Sequence, residues 1–336
     1  MLKKEDGFPF SGDRLAEMVG FLNENGIRYE SDALYSVVLR DQSGKIVAAG
    51  SLCNRILKYI AVDDMYRGEG ILSQIMTWLM EKAVEFSCRK LFLYTKPGNL
   101  NIFEAYGFYE IIATDEMLFM ENRQGEFDAY IRSVQAQSPD CRGRIGAVVC
   151  NCNPFTLGHR HLILHAAEEC DLLHVFVLSE DRSEFPAPLR YKMVTDGTRD
   201  IKNVVVHGTG DYFISAATMP TYFIRDRSTA AEAAFCLDLA IFCKRLAPAL
   251  GITARYAGAE PLDPVTSAYN QAMRRILPEC GIEFAEIQRL ETMGKTVSAS
   301  LVRDMLSQGK YLEAEKLLPE STAILLRENG FLPAAE

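Results

Sequence analysis

Over the first 130 or so residues, hydrophobic and polar positions follow two different periods. A helical period runs through 15–22 and again through 71–86, where Ile71, Ile75, Trp78, Leu79 and Ala83 share one face. Between these helices, short apolar runs at 35–39, 46–50 and 56–62 predict strands. Asp41-Gln42-Ser43-Gly44 supplies hairpin turn chemistry between the first two. A further strand is expected at 91–95 and a short helix at 101–106, stopped by Gly107. This mixture predicts an α+β domain.

The stretch 123–144 is richer in Gln, Ser, Asp and Arg, with Ser138-Pro139-Asp140 inside it, and reads as a boundary between domains 1–135 and 136–336. From Ile145 onward strands alternate with helices. Strands are expected at 145–150, 172–178, 204–207, 252–257 and 283–287. Helices are expected at 159–170, 189–198, 229–246 and 267–277, with two short ones beginning near Ser300 and Glu313. Such alternation predicts a parallel sheet covered by helices.

Composition narrows the function classes. In 336 residues, 48% are hydrophobic and 24% charged, enough apolar material for a core in each half. The net charge of −9 argues against a general nucleic-acid binder, which carries a basic face. Nine cysteines occur without C-x-x-C pairs, no apolar run reaches the about 18 residues of a membrane span, and Lys3-Lys4-Glu5-Asp6 does not open a secretory signal. A cytoplasmic protein with reduced thiols and no membrane partner is expected.

The sharpest local signal is Asn153-Pro154-Phe155-Thr156-Leu157-Gly158-His159, set between a strand and an amphipathic helix. Ligands of open parallel sheets sit beyond the strands' carboxyl ends, where a helix N-terminus presents free N–H groups and partial positive charge to a phosphate. Gly158 lets the backbone approach a nucleotide, His159 suits a hydrogen bond to an α-phosphate, and Thr156 adds a hydroxyl. Taken alone, the segment is also an ordinary strand-to-helix turn. The second signal is Thr296-Val297-Ser298-Ala299-Ser300-Leu301-Val302-Arg303. Ser298 and Ser300 either cap a helix or hold β- and γ-phosphates, with Arg303 one turn on to neutralise pyrophosphate. Together the two segments supply both halves of a triphosphate clamp.

N-P-F-T-x-G-H with V-S-A-S-x-V-R resembles the HxGH nucleotidyltransferase superfamily, with Thr156 where many members carry the first histidine. More narrowly, 145–330 resembles the [citrate (pro-3S)-lyase] ligases. Ser179-Glu180-Asp181-Arg182-Ser183-Glu184-Phe185-Pro186, Ile214-Ser215-Ala216-Ala217-Thr218 with the following Met219-Pro220-Thr221-Tyr222-Phe223, and Glu260-Pro261-Leu262-Asp263-Pro264-Val265-Thr266 followed by Tyr269-Asn270 support it. The resemblance implies a Rossmann-like nucleotidyltransferase domain in which acetate attacks the α-phosphate of ATP, carried with Mg2+. Acetyl-AMP then passes its acetyl group to the phosphopantetheine-type thiol of the citrate lyase acyl carrier subunit. It also implies nucleotide contacts at Asn153, Phe155, Thr156, Gly158, His159, Ser298, Ser300 and Arg303. Arg190 matches the arginine opening the helix after the second strand; on pattern alone it is a surface or salt-bridge residue. Gly258 and Glu260 match a segment near adenosine; Glu260 reads equally as a solvated loop carboxylate.

In the first domain, Arg67-Gly68-Glu69-Gly70-Ile71-Leu72 resembles the R-x-x-G-x-G/A loop of GNAT acyltransferases, and Asn99, Phe103, Tyr106, Gly107 and Phe108 a later element of that family. The resemblance implies a site at Arg67, Gly68 and Gly70 for a coenzyme-A-like arm. Leu72 departs from the family's small residue, which argues against catalysis there and leaves a binding role or a purely structural one. His161 and His165 have helical i,i+4 spacing without a third ligand, so no metal site is expected, and Cys150 and Cys152 read as small buried residues. Two other functions fit the same residues: adenylyl transfer to a phosphopantetheine-type small molecule, and non-catalytic sensing of coenzyme A or a nucleotide.

Overall fold

The computed structural model describes residues 2–179, 183–213, 219–260, 263–292 and 295–334. The supporting residues Glu180, Asp181 and Arg182, Ile214 to Thr218, and Pro261 and Leu262 lie outside them. The chain forms two compact units, Met1–Phe127 with Met219–Ala240, and Asp128–Thr218 with Ile241–Glu336. The first unit therefore contains a segment that the linear division assigns to the second half.

The first unit runs β1 (Lys3–Gly7), α1 (Gly12–Glu24), β2 (Tyr35–Arg40), β3 (Ile46–Cys53), β4 (Ile56–Val62), α2 (Ile71–Glu85), β5 (Phe92–Thr95), α3 (Leu100–Glu104), β6 (Tyr109–Ala113) and β7 (Leu118–Glu121). Its sheet has the order β1-β2-β3-β4-β5-β7-β6, antiparallel except for β4 and β5. The apolar stripe of α2 lies on β3 so tightly that a β-carbon on Gly50 would meet Ile75 Cγ2 at 2.7 Å. Strands β1, β6 and β7 escape the pattern reading: β1 is mostly charged, an edge strand paired only with β2.

Helix α4 (Glu126–Ala136), whose first two residues belong to the first unit and the rest to the second, occupies part of the stretch read as a linker. Phe127, Ile131 and Val134 are buried on its inner side, so its polar composition describes only the outer face. Then follow β8 (Ile145–Cys150), α5 (Leu157–Glu168), β9 (Leu172–Val177), α6 (Ala187–Gly197) and β10 (Val204–Gly208). Helix α7 (Arg227–Ile241) belongs almost wholly to the first unit. After it come α8 (Ala247–Leu250), β11 (Ala254–Gly258), α9 (Pro264–Glu279), β12 (Glu283–Ile287), the hairpin β13 (Glu291–Thr292) and β14 (Lys295–Thr296), then α10 (Ala299–Ser307), α11 (Tyr311–Glu315) and α12 (Glu320–Glu328). A third closing helix thus joins the two expected. The sheet order is β10-β9-β8-β11-β12, with each pair parallel. The inner strands are near-continuous apolar runs because both faces are covered. One face packs α5, α6 and α10 to α12 around Val148, Val175, Phe155 and Val302.

Candidate active site

In the parallel sheet the chain leaves β8 for β9 and β10 on one side, then returns to β11 and β12 on the other. The strand order thus reverses between β8 and β11, and beyond the carboxyl ends at such a switch point is where sheets of this kind take ligands. Gly258 ends β11 there, with nothing within 4 Å of where a β-carbon would sit, and its carbonyl accepts a hydrogen bond from Asn270 Nδ2 at 3.0 Å.

The 151–156 turn delivers the chain from β8 into α5. Thr156 is the N-cap, and its hydroxyl accepts from the His159 N–H at 3.4 Å. His159 answers: its Nδ1 accepts from the Thr156 N–H at 3.1 Å and lies 2.9 Å from Thr156 Oγ1. This is a capping box with histidine in place of the usual glutamate. A ring nitrogen that accepts a backbone N–H carries no proton, so the neutral imidazole holds its hydrogen on Nε2. Burial, and after it the charge of Arg289, push the His159 imidazole down to about 4. At neutral pH it is an uncharged donor.

The second segment closes onto the first. A β-carbon on Gly158 would meet the Val297 carbonyl oxygen at 2.8 Å, so the glycine is required by the neighbouring chain as well as by any ligand. Ser298 caps α10, its Oγ accepting from the Leu301 N–H at 3.1 Å. Arg303 donates from Nη1 to the Asn153 carbonyl at 2.5 Å and from Nη2 to Ser300 Oγ at 3.3 Å; its Nε lies 3.7 Å from Glu184. Thr156, Gly158, His159, Ser298, Ser300 and Arg303 are thus brought together.

Three expected contact residues take supporting places. Phe155 is fully buried, with its ring against Gly197. Asn153 is buried and accepts the Phe185 N–H at 3.0 Å. Arg190 has no exposed surface. Its Nε donates to the Phe185 carbonyl at 2.9 Å, and its Nη1 to the carbonyls of Asn151 and Leu178 at 2.8 and 2.7 Å and to Asn151 Oδ1 at 2.6 Å. A guanidinium so enclosed clasps the ends of β8 and β9 and sets the turn that carries His159. It is buried, not the surface residue that its pattern allowed.

Glu260 is held rather than solvated: its side chain is 7% exposed and pairs with Arg289, whose Nε donates to the Ala259 carbonyl at 2.7 Å. Sequence reading missed Arg289. The available signal was its place two residues beyond β12, at the sheet's ligand edge. His161 and His165 stack edge to face at 4.3 Å, and among the described residues no group of three His, Cys, Asp or Glu side chains is placed to hold a metal. Cys152 is buried with its Sγ 3.1 Å from that of Cys150. No helix among the described residues is long and apolar enough to cross a membrane.

Residues 145–326 match the family described as Citrate lyase ligase C-terminal domain, and residues 5–110 match the Acetyltransferase (GNAT) family. Fold and site together define a two-unit α/β enzyme that joins a GNAT-type sheet to a parallel-sheet ligase domain. The chain is 38% identical over 313 residues to a [citrate (pro-3S)-lyase] ligase of Klebsiella pneumoniae, covering 92% of this chain and 91% of that one. It is 35% identical over 323 residues to the enzyme of that name from Haemophilus influenzae, covering 94% and 96%, and 38% identical over 317 residues to that of Escherichia coli, covering 92% and 89%. The chain belongs to the [citrate (pro-3S)-lyase] ligase family. Among solved structures, Escherichia coli ElaA aligns with 37% of this chain and 100% of its own, at 15% identity and a TM-score of 0.32.

Proposed function

We propose that the protein activates citrate lyase by an ATP-dependent, two-step acetylation of the thiol on the lyase's acyl carrier subunit. A carboxylate oxygen of acetate attacks the α-phosphorus of ATP, and pyrophosphate leaves. The carrier thiol, as thiolate, then attacks the acetyl carbonyl carbon; the thioester forms, AMP leaves, and the thiol proton goes to solvent. The observation that carries this reading is the closure of the Val297 carbonyl, one residue before Ser298, onto Gly158, one residue before His159, in the turn that follows β8.

In this reading the Nε2–H of His159 donates to an α-phosphate oxygen as charge builds up on it, fixed in tautomer by Thr156. The N-terminus of α10, with Ser298 and Ser300, receives the β- and γ-phosphates, and Arg303 the departing pyrophosphate. Gly258 leaves room for the adenosine, and Glu260 with Arg289 forms the wall behind it. Mg2+ would enter on the nucleotide's own phosphate oxygens. Phosphoryl chemistry of this kind needs mainly position and charge, which these residues offer. In the GNAT-type unit, Arg67, Gly68 and Gly70 are assigned the phosphate end of the phosphopantetheine-type arm.

The test is AMP release from ATP with acetate, with and without the thiol form of the carrier. Acetate-dependent turnover that rises with the thiol carrier is expected. Turnover that ignores acetate and requires a phosphorylated small-molecule acceptor would overturn the reading in favour of adenylyl transfer.

A further inference from the structure

Strands β4 and β5 pair only through Ile56 with Phe92 and Leu57 with Leu93. Beyond that point they part, and Ile60, Ala61 and Tyr94 wall a cleft of about 600 Å³. One end of the cleft is a phosphate seat by chemistry. Gly68 and Gly70 both have left-handed backbone, at φ 86° and 73°, with nothing within 4 Å of where a β-carbon would sit. They lead into the N-terminus of the 15-residue α2, and Arg67 and Lys96 also line this cleft.

The apolar end is built from an unexpected part of the sequence. Tyr222 and Phe223 line it, both buried, on the segment Met219–Ala240 that returns from the ligase-family stretch into the first unit. Tyr222 Oη donates to the Tyr94 carbonyl at 3.0 Å, bracing β5 where β4 no longer pairs with it. The segment is fastened from outside as well: the Arg28 N–H donates to the Tyr222 carbonyl at 2.7 Å, and the Arg225 guanidinium lies on Gly26. Beneath the ring, Lys58 Nζ sits 5.5 Å from its centroid, itself held by Glu30 at 2.7 Å and Asp32 at 2.6 Å. A tyrosine with its hydroxyl satisfied, its ring over a paired ammonium and its backbone tied is a fixed wall.

We propose that Tyr222 is the floor of a one-ended slot for a phosphopantetheine-type arm. The phosphate rests on Gly68 and Gly70, the chain lies between β4 and β5, and the thiol end stops at Tyr222, so no amine reaches the thiol while the arm is seated, and the arm leaves the slot to meet acetyl-AMP. The GNAT-type unit thus receives and measures the arm and does not pass an acyl group from it to an amine. This rests on the assignment of that unit to the arm made above. It adds the residue that closes the slot and the loss of acyl transfer.

The experiment is calorimetry of the full chain with 4′-phosphopantetheine as probe, together with an acetyl transfer assay using acetyl-coenzyme A and a panel of primary amines. Binding without acetyl transfer is expected. Tyr222→Phe keeps the ring and should bind within about threefold of the parent, whereas Tyr222→Ala should bind at least about tenfold more weakly. Ile102→Trp, at a 44% exposed position on the cleft wall, fills the slot without touching the core and should also weaken binding at least about tenfold, which keeps the test sound if Tyr222→Ala does not fold. Displacement of the probe by thiol-bearing carrier but not by stripped carrier identifies the protein-borne arm; displacement by dephospho-coenzyme A alone identifies the free nucleotide, and either agrees with the slot. Absence of probe binding, indifference of binding to both Tyr222→Ala and Ile102→Trp, or acetyl transfer to an amine overturns it. Acetate-dependent pyrophosphate exchange by the unmodified chain, run without carrier, reads the ligase assignment separately.

Discussion

The carbonyl oxygen of Val297 faces Gly158 so closely that a β-carbon there would approach it to 2.8 Å. Two segments nearly 140 residues apart in the chain are therefore in van der Waals contact, and the glycine is the point of contact. Gly158→Ala should separate them. We expect a loss of about 1–3 kcal/mol in stability from the overpacking, and a larger proportional loss of acetate-dependent pyrophosphate exchange. Denaturant unfolding and exchange rates, measured side by side, check both; normal exchange would mean that the contact has no part in catalysis.

His159→Ala should slow AMP formation by about 10²–10³, the scale seen for a lost charge-stabilising donor. Because its imidazole is pushed down to about 4, His159 is neutral throughout the physiological range and gains a proton only as pH approaches that value. The rate should thus show no acid limb near 6.5 from this residue. A pH–rate profile with a break at 6.5 that disappears in His159→Ala would contradict the neutral-donor role.

Arg289→Gln removes the cation that helps to depress His159. The His159 titration should rise toward its ordinary value and the exchange rate should fall by about tenfold or more, since a preorganised charge has gone from the site. Histidine titration by NMR reads the first effect, and pyrophosphate exchange the second.

Ser298 and Ser300 separate capping from catalysis. Ser298→Ala should cost about 1 kcal/mol because the Leu301 N–H loses its side-chain acceptor, and should raise the KM for ATP. Ser300 is exposed and contacts only the Arg303 side chain among the described hydrogen bonds, so Ser300→Ala should leave unfolding unchanged and still raise that KM. An ATP dependence untouched in both variants would reduce the pair to cap and bystander.

His174 and His207 form a buried pair, Nδ1 to Nε2 at 3.0 Å, with His174 Nε2 and His207 Nδ1 unpartnered among the described residues. Burial pushes both down to about 4. The unfolded chain binds these protons near 6.5 and the folded one does not, so stability is full above 6.5 and falls as pH drops from there toward 4. Denaturant unfolding at stepped pH should show this slope, and His207→Gln should make it shallower.

Much of this site was legible because its chemistry is local. A capping residue, a glycine and a histidine within four positions at a strand-to-helix turn state their geometry in sequence, and the second serine segment is likewise one helix start. Arg190 and Arg289 were not legible in the same way. Each is a single arginine on a polar background, and whether such a side chain faces water, clasps carbonyls or pairs with a carboxylate depends on what other parts of the chain bring to it. The helix α4 was hidden because its polar outer face dominates the composition of 123–144, although Phe127, Ile131 and Val134 hold the helical period.

The sequence by itself determined the alternation that makes a parallel sheet, the capped helix starts that carry the candidate phosphate contacts, and the glycines that such contacts require, since these follow from short-range periodicity and backbone preference. Only the tertiary structure decided that Val297 lies on Gly158, that Arg190 turns inward, and that Tyr222 joins the first unit instead of the second. Each of these depends on pairing between residues far apart in the chain. That pairing is fixed by packing and buried hydrogen bonds, which no local pattern encodes.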